Sequence, residues 1–329
     1  MRKIVYADAM LIDMHMHSVF SDGNLTPQEL IESLVQHKIQ FACLTDHDTF
    51  GGTPFFLEAA QSKGITSIPA IEIDCLAPEI GYDSEILCYF PQGTYNHTKL
   101  LTDTYRNRRL TAIQTIVENS RLLKPSLSLN NFYVNKLLRL PVSPDAKEYL
   151  FNAIRITTPD LYAFFMETAV IDKKTTYKFF KKHYTAPVFK KASEPLKPHI
   201  TEVIAAAKAD NGLVVLPHFG HEFDDDTDIL TKEYSRAREM LAYFQSVGIQ
   251  GLEWYAYRNH QQQKLNELIH KLAEPFNFLR HLAVIFMVPK AKKILLSHLK
   301  GNLLFYKNSR TSSKGHHHAE LHKYFRRTQ

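Results

Sequence analysis

Several things are scarce in this sequence. Only three cysteines occur in 329 residues, Cys43, Cys75 and Cys88, and each sits in an apolar, strand-like context. That excludes a disulfide framework. No apolar run approaches the ~20 residues that a membrane span requires. Residues 1–10 lack the apolar core of a secretory signal, so we expect a cytoplasmic chain with no membrane association. There are no internal repeats and no long low-complexity linkers. Acidic residues nearly vanish at the end of the chain: residues 280–329 hold 11 Lys plus Arg against one acid, Glu320. The whole chain has 40 basic and 34 acidic residues, so residues 1–279 carry 29 against 33. The net +6 of the chain therefore comes from its tail, and nucleic-acid binding does not follow from it.

What is present is concentrated near the N-terminus. Asp13-Met-His15-Met-His17 is followed by Ser21-Asp22-Gly23, and then by Leu44-Thr45-Asp46-His47-Asp48-Thr49. Histidines and carboxylates in such number are the donors that a hydrolytic Zn, Mn or Fe site uses. Tyr6 to His17 reads as a strand. Residues i and i+2 of a strand share a face, so Asp13, His15 and His17 are expected on one face with Met14 and Met16 opposite. Ser21-Asp22-Gly23 reads as a tight turn that folds Asp22 back toward the histidines. Thr26-Pro27-Gln28-Glu29 has the form of a capped helix start, with an apolar stripe running to His37. Phe41 to Leu44 then reads as a strand delivering Asp46, His47 and Asp48.

The alternation continues. Pro54 to Ser62 reads as a helix closed by Gly64. Ile65 to Ile71 is a strand delivering Glu72, Leu213 to Leu216 one delivering His218, and Gly251 to Tyr255 one carrying Glu253. Strand–helix repeats with polar residues at strand C-terminal ends predict an α/β barrel with its site on that face. Hydrophobic residues make up 44% of the chain, enough to core one elaborated domain or two. A helix over Lys99 to Asn119 puts Arg106 and Arg109 on one face, where they could clamp a phosphate or simply face solvent. Residues 120–197 read as an aromatic-rich helical insertion with added lysines, capping the barrel mouth or merely packing beside it. Isolated histidines such as His37, His97, His183, His199 and His270 receive no role. His221 is a candidate substrate contact.

Together these segments resemble the polymerase and histidinol phosphatase (PHP) family of metal-dependent phosphoesterases. The matching residues are Asp13-Met-His-Met-His17, Ser21-Asp22-Gly23, Leu44-Thr-Asp-His-Asp-Thr49, Pro69-Ala-Ile-Glu72-Ile73 and Leu216-Pro-His218, within residues 11–279. The resemblance implies a distorted (β/α)7 barrel holding two or three divalent ions, Mn, Zn or Fe. It implies His15, His17, Asp22, His47, Glu72 and His218 as the ligands and catalytic set, with Glu72 bridging two ions. It implies hydrolysis of phosphate esters of nucleotides or short oligonucleotides by a metal-activated water, with no stable protein partner. Residues 1–119 and 198–279 would be the two parts of the barrel.

Three departures from the family pattern stand out. Glu85, in Glu85-Ile-Leu-Cys-Tyr-Phe90, occupies a place where the family often has histidine; a carboxylate there favours a harder ion. Thr158-Pro159-Asp160 stands where the family has Arg-Pro-His. The last family motif, Gly-Ser-Asp-X-His, is expected after Leu279 and is absent; Arg280-His-Leu-Ala-Val-Ile-Phe-Met-Val-Pro289 is there instead. Codons such as CAT TTG GCA GTG ATT TTC ATG GTC CCA AAG encode His281 to Lys290. Read from the last base of the first codon, they give Phe-Gly-Ser-Asp-Phe-His-Gly-Pro-Lys, the missing motif in another frame. We infer a frameshift near Leu279, with residues 280–329 an out-of-frame tail in which His316, His317 and His318 have no biological role. The tail is expected to pack poorly and not to complete the barrel, although Leu282 to Val288 has strand propensity. Three functions fit: a working phosphoesterase, the same fold inactivated by the lost motif, and a metal-binding or nucleic-acid-binding regulatory module without catalysis. A histidinol-phosphate-type phosphatase fits less closely.

Overall fold

The computed structural model describes residues 11–143, 150–254, 260–276 and 278–282. Strands β1 (Ile12–Asp13), β2 (Phe41–Ala42) and β3 (Thr66–Ser67) pair in parallel in that order. β4 (Ala70–Ala77), β5 (Tyr82–Tyr89), β6 (Leu213–Leu216), β7 (Gly251–Trp254) and β8 (Leu279–Leu282) form a second run. β5 is antiparallel to β4 and β6, whereas β6, β7 and β8 are parallel. The reversal into β5 is short: Gly81, at φ 67°, takes the left-handed conformation that closes the Pro78–Ile80 turn. The two runs meet at the site, where His47 bridges Glu72 in parallel and Asp48 N donates to Glu72 O at 2.8 Å. The strand expected over Ile65 to Ile71 is interrupted at Ile68 and Pro69, between β3 and β4; proline has no N–H for the ladder.

Among the described residues no pairing joins β8 to β1. The fold is mixed α/β with an open strand order, and the closed ring expected from the alternation is not formed by these residues. Residues 283–329, and with them most of the presumed tail, lie outside the described residues.

Local chemistry explains the helix ends. Thr26 accepts from Glu29 N while Glu29 accepts from Thr26 N, a capping box that starts the helix Pro27–Gln36. The helix Thr53–Lys63 ends at Gly64, φ 73°. Among the described residues the first strand ends at Asp13, four residues before the expected end at His17. Beyond Asp13 the chain pairs irregularly with its neighbour: Thr45 N donates to Met16 O at 2.9 Å, and Thr45 Oγ1 accepts from Met16 N at 3.1 Å. A side-chain hydroxyl in the ladder breaks the alternation. Met14 consequently packs with Phe41, Cys43, Leu87, Tyr89 and Val215 in the middle of the strands, and Met16 against Ile31, Leu34 and Phe56 under the first helices. The two methionines do not share a face.

The largest core lies between β4–β7 and the helices Ile200–Ala209, Tyr234–Val247 and His260–Ala273. A separate core belongs to the insertion. Phe132, Phe164, Phe165 and Phe180 pack together and against Phe20, Phe55 and Ile113. Apolar burial of this kind contributes about 1.5–3 kcal/mol per large side chain, so the insertion is docked on the strand body beside the turn that carries Asp22.

Candidate metal centre

Glu72, the third residue of β4, is 1% exposed and lies at the centre of the polar cluster. Its Oε2 is 3.0 Å from His15 Nε2, 3.3 Å from His17 Nε2 and 3.6 Å from His47 Nε2. Its Oε1 is 3.1 Å from His218 Nε2. Asp22 stands at the rim, 3.7 Å from His17 Nδ1 and 3.6 Å from His47 Nε2. All six residues named as ligands thus lie around one carboxylate. Two more carboxylates join them: Asp74, 3.9 Å from His47 Nδ1, and Glu85, 3.6 Å from His218 Nε2. Four overlapping donor groups result: His15–His17–Glu72, His17–Asp22–His47, His47–Asp74–Glu85 and Glu72–Glu85–His218.

The donor set fits divalent cations. The Nε2 atoms of His15 and His17 approach to 3.2 Å while both face Glu72. The Nδ1 atoms of His17 and His47 are buried without a hydrogen-bond partner, which is costly for polar atoms. Imidazole nitrogens aimed together at one carboxylate oxygen are arranged as lone pairs around a cation would be.

Without an ion the charges are strongly coupled. Burial would lower the pKa of His15, but the carboxylates of Glu72 and Glu253 raise it well above the ordinary value. Burial is likewise overcome at His47, where Glu72, Asp22 and Asp74 push it to about 10. His17 falls to about 4, because burial and the neighbouring His47 and His15 outweigh Glu72. Glu72 is driven well below the carboxylate range: burial opposes this, but the charges of His15 and His47 prevail. Burial, reinforced by the negative charges of Glu72 and Asp74, raises Glu85.

An outer layer holds these groups. Asp46 accepts from Ser18 N at 2.7 Å and from the hydroxyls of Ser18 and Ser21 at 2.6 Å, which shapes the turn before Asp22. Arg155, from the insertion, is 4% exposed and donates from Nε to Asp48 at 2.9 Å and from Nη2 to Asp74. Arg155 and Lys197 hold Asp74 at about 2 despite its burial. Lys136 binds the backbone of Ser21 and, at 2.8 Å, Asp160. Asp48 and His218 have positive φ, 51° and 27°, strain of about 1–3 kcal/mol each of the kind found at functional sites. Glu253 accepts from His15 Nδ1 at 2.6 Å and from His218 N at 2.8 Å. Asp13, expected beside His15 and His17, belongs to none of the donor groups. It is pushed up to about 6 by burial and accepts from His15 N at 3.4 Å.

A cavity of about 1130 Å³ opens from His47, Asp22, Asp74 and Glu85 toward the insertion. Its lining also carries Lys178, Lys181, Lys182, Lys190, Arg109 and Arg155, with Lys197 beside Asp74 at 4.0 Å and Asp83 at 2.7 Å. Arg109 is buried and donates to Thr158 Oγ1 at 3.0 Å, with no carboxylate in ion-pair range among the described residues. Arg106 instead pairs with Asp103 on its own helix at 2.7 Å. His221 stacks on His218 with ring centroids 4.4 Å apart, and pairs with Asp225 at 3.1 Å.

Some of this cluster went unassigned in the sequence. Asp74 had a signal, since it follows Glu72 at i+2 on one strand. Glu253 stood at a strand end without an assigned role. Arg155 carried no local signal, because its partners are 81 and 107 residues away.

The PHP domain model matches residues 13–281. A 3′,5′-nucleoside bisphosphate phosphatase of Chromobacterium violaceum is 40% identical over 62 residues, 19% of this chain and 22% of that protein. A 5′-3′ exoribonuclease Rnm of Salmonella typhimurium is 36% identical over 67 residues, 20% of this chain and 23% of that protein. An error-prone DNA polymerase of Nocardia farcinica is 41% identical over 63 residues, 18% of this chain and 6% of that protein. The matched stretch thus spans less than a quarter of each relative. Among solved structures, an amidohydrolase of Chromobacterium violaceum with bound sulfate superposes with a TM-score of 0.60 at 16% identity, over 88% of this chain and 96% of that one. A candidate metal-dependent phosphoesterase of Bifidobacterium adolescentis gives 0.54 at 22%, over 84% and 87%. At these identities the likeness is one of fold.

Proposed function

The chain belongs to the PHP domain family, and we propose that it is a metal-dependent phosphoesterase acting on phosphate esters of nucleotides or short oligonucleotides. The observation that carries this reading is the convergence of four imidazoles on the two oxygens of buried Glu72. His15, His17, Asp22, His47, Glu72 and His218 would hold two or three divalent ions, Mn, Zn or Fe, and Asp74 and Glu85 add oxygen donors suited to a harder ion. When bound, such ions lower the pKa of a water toward ~7 and polarise phosphoryl oxygens. The protein's own groups then have defined tasks. Arg109, buried and with no ion-pair partner among the described residues, receives a substrate phosphate, and guanidinium suits that role geometrically. The lysines of the cavity wall draw in and hold the rest of a polyanionic substrate. Arg106, on the same helix, would reach a substrate only by leaving its pair with Asp103. His221, stacked on His218, contacts the substrate at the rim.

The architecture goes with this function: a distorted (β/α)7 barrel built from residues 1–119 and 198–279, with residues 120–197 as a substrate-facing cap. Among the described residues no helix is long and apolar enough to cross a membrane, and a cytoplasmic location is part of the proposal. So is the frameshift. The family match stops at residue 281, two residues into the proposed out-of-frame tail, and the lost Asp and His would leave the site short of donors in this chain.

The test is a phosphatase and nuclease panel with Mn²⁺ on two proteins, the chain as written and a version with the frame restored after residue 280. The restored protein is expected to release phosphate from nucleotide or oligonucleotide esters, and His17→Ala to abolish release. Metal-loaded restored protein with no activity across the panel would overturn the reading. Sequencing the DNA around codon 279 tests the frameshift directly.

A further inference from the structure

We propose that Glu253 is a positioning residue that sets two ligand-bearing loops of the metal site at once; this rests on the metal-site reading above. Three observations carry it. Glu253 is 5% exposed at the C-terminal end of β7. One of its oxygens, Oε1, lies 2.6 Å from His15 Nδ1, and the other, Oε2, accepts from the backbone N–H of His218 at 2.8 Å. The loops it touches are far apart in the strand order, one leaving β1 and the other leaving β6.

The first contact selects the chemistry of His15. Both ring nitrogens face a carboxylate in the metal-free protein, Nδ1 toward Glu253 at 2.6 Å and Nε2 toward Glu72 at 3.0 Å, and a carboxylate accepts and does not donate. When an ion takes Nε2, Glu253 would hold the remaining proton on Nδ1 and so set the tautomer that presents the Nε2 lone pair. Partners of this kind fix the tautomer and ring orientation of metal-binding histidines. The second contact holds a strained backbone. His218 sits at φ 27°, a conformation that L-residues keep only when their surroundings impose it. Its side chain reaches Glu72 Oε1 from that position.

The contact also spans the open side of the fold. No pairing links β8 to β1 among the described residues, and the bond from Glu253 to His15 ties β7 to the end of β1 without a backbone ladder. The tyrosine hydroxyl of Tyr89 assists by donating to Met14 O at 3.0 Å, one residue before His15.

The experiment compares wild type, Glu253→Ala and Glu253→Gln in three measurements: Mn²⁺ affinity by calorimetry, the His15 ring proton by NMR of Zn²⁺-loaded protein, and the melting temperature without metal. Glu253→Ala is expected to weaken Mn²⁺ binding about 10–100-fold and to lose the protected Nδ1–H signal of His15. Glu253→Gln keeps an oxygen that can accept from Nδ1–H, so it should retain that signal and bind Mn²⁺ more tightly than the alanine variant. If Glu253→Ala unfolds, the glutamine variant against wild type carries the test, with a smaller but measurable loss expected. Wild-type Mn²⁺ affinity in a folded Glu253→Ala protein would overturn the positioning role alone. Equal losses in the two variants would also overturn it, because charge rather than orientation would then matter. A wild-type chain that binds neither ion would overturn the metal-site reading itself.

Discussion

Four imidazoles crowd one buried carboxylate, Glu72, and this has measurable results. His15 is raised well above its ordinary pKa and His47 to about 10, so both carry protons at neutral pH in the metal-free protein. Burial is overcome by Glu72 at His218, which is raised as well. A cation needs the lone pairs of these histidines, so Mn²⁺ binding at pH 7.5 should release protons. Calorimetry in buffers of different ionisation enthalpy reads their number; release near zero would show that these histidines are not ligands. The same shift gives a pH dependence of stability. The folded pKa of His47 lies above the unfolded 6.5, so its contribution is fully present below pH 6.5 and is lost as pH rises through about 10. Metal-free protein should therefore lose stability over that window, and His47→Gln should flatten the slope. In the centre of the site, Glu72→Gln is expected to weaken Mn²⁺ binding by more than about 100-fold.

The elements differ in how far they could be read in advance, and the difference tracks the range of the interactions that make them. The helix Pro27–Gln36 was legible because its cap uses residues three apart; Thr26→Ala should cost about 1 kcal/mol, readable in a denaturant melt. The candidate ligands were named through their resemblance to the family motifs, and the structure brings His15, His17, Asp22, His47, Glu72 and His218 together. Met14 and Met16 were misassigned to one face because Thr45 inserts its hydroxyl into the ladder, a contact between strands that strand periodicity does not encode. Arg155 was invisible for the same reason on a larger scale. It comes from the insertion and is enclosed by Asp48 and Asp74. Replacing it with Met leaves buried Asp48 without its cation and Asp74 with Lys197 at 4.0 Å, which should cost about 3–5 kcal/mol and loosen the docking of the insertion; a melting temperature within a degree of wild type would refute that account.

At the scale of the molecule, the excess positive charge and the candidate metal centre lie in different parts of the chain. Affinity for long duplex DNA, if measured, should follow residues 283–329 and fade steeply between 50 and 200 mM salt, while truncation after Leu282 leaves Mn²⁺ binding unchanged. Gel shifts beside calorimetry on the two lengths check this. The site is also spread widely along the chain: Glu72 meets His218 across 146 residues and His15 meets Glu253 across 238. Ribosomes add about 5–20 residues per second, so His15 emerges roughly 10–50 s before Glu253. During that interval the nascent chain displays His15, His17, Asp22, His47 and Glu72 with nothing to set their geometry. Shapeless nitrogen and oxygen donors follow the Irving–Williams order, which favours copper and zinc over manganese. If the centre binds an ion as proposed, the ion it carries would therefore depend on which metals the cell keeps free while the chain is being made, as well as on the preference of the completed site.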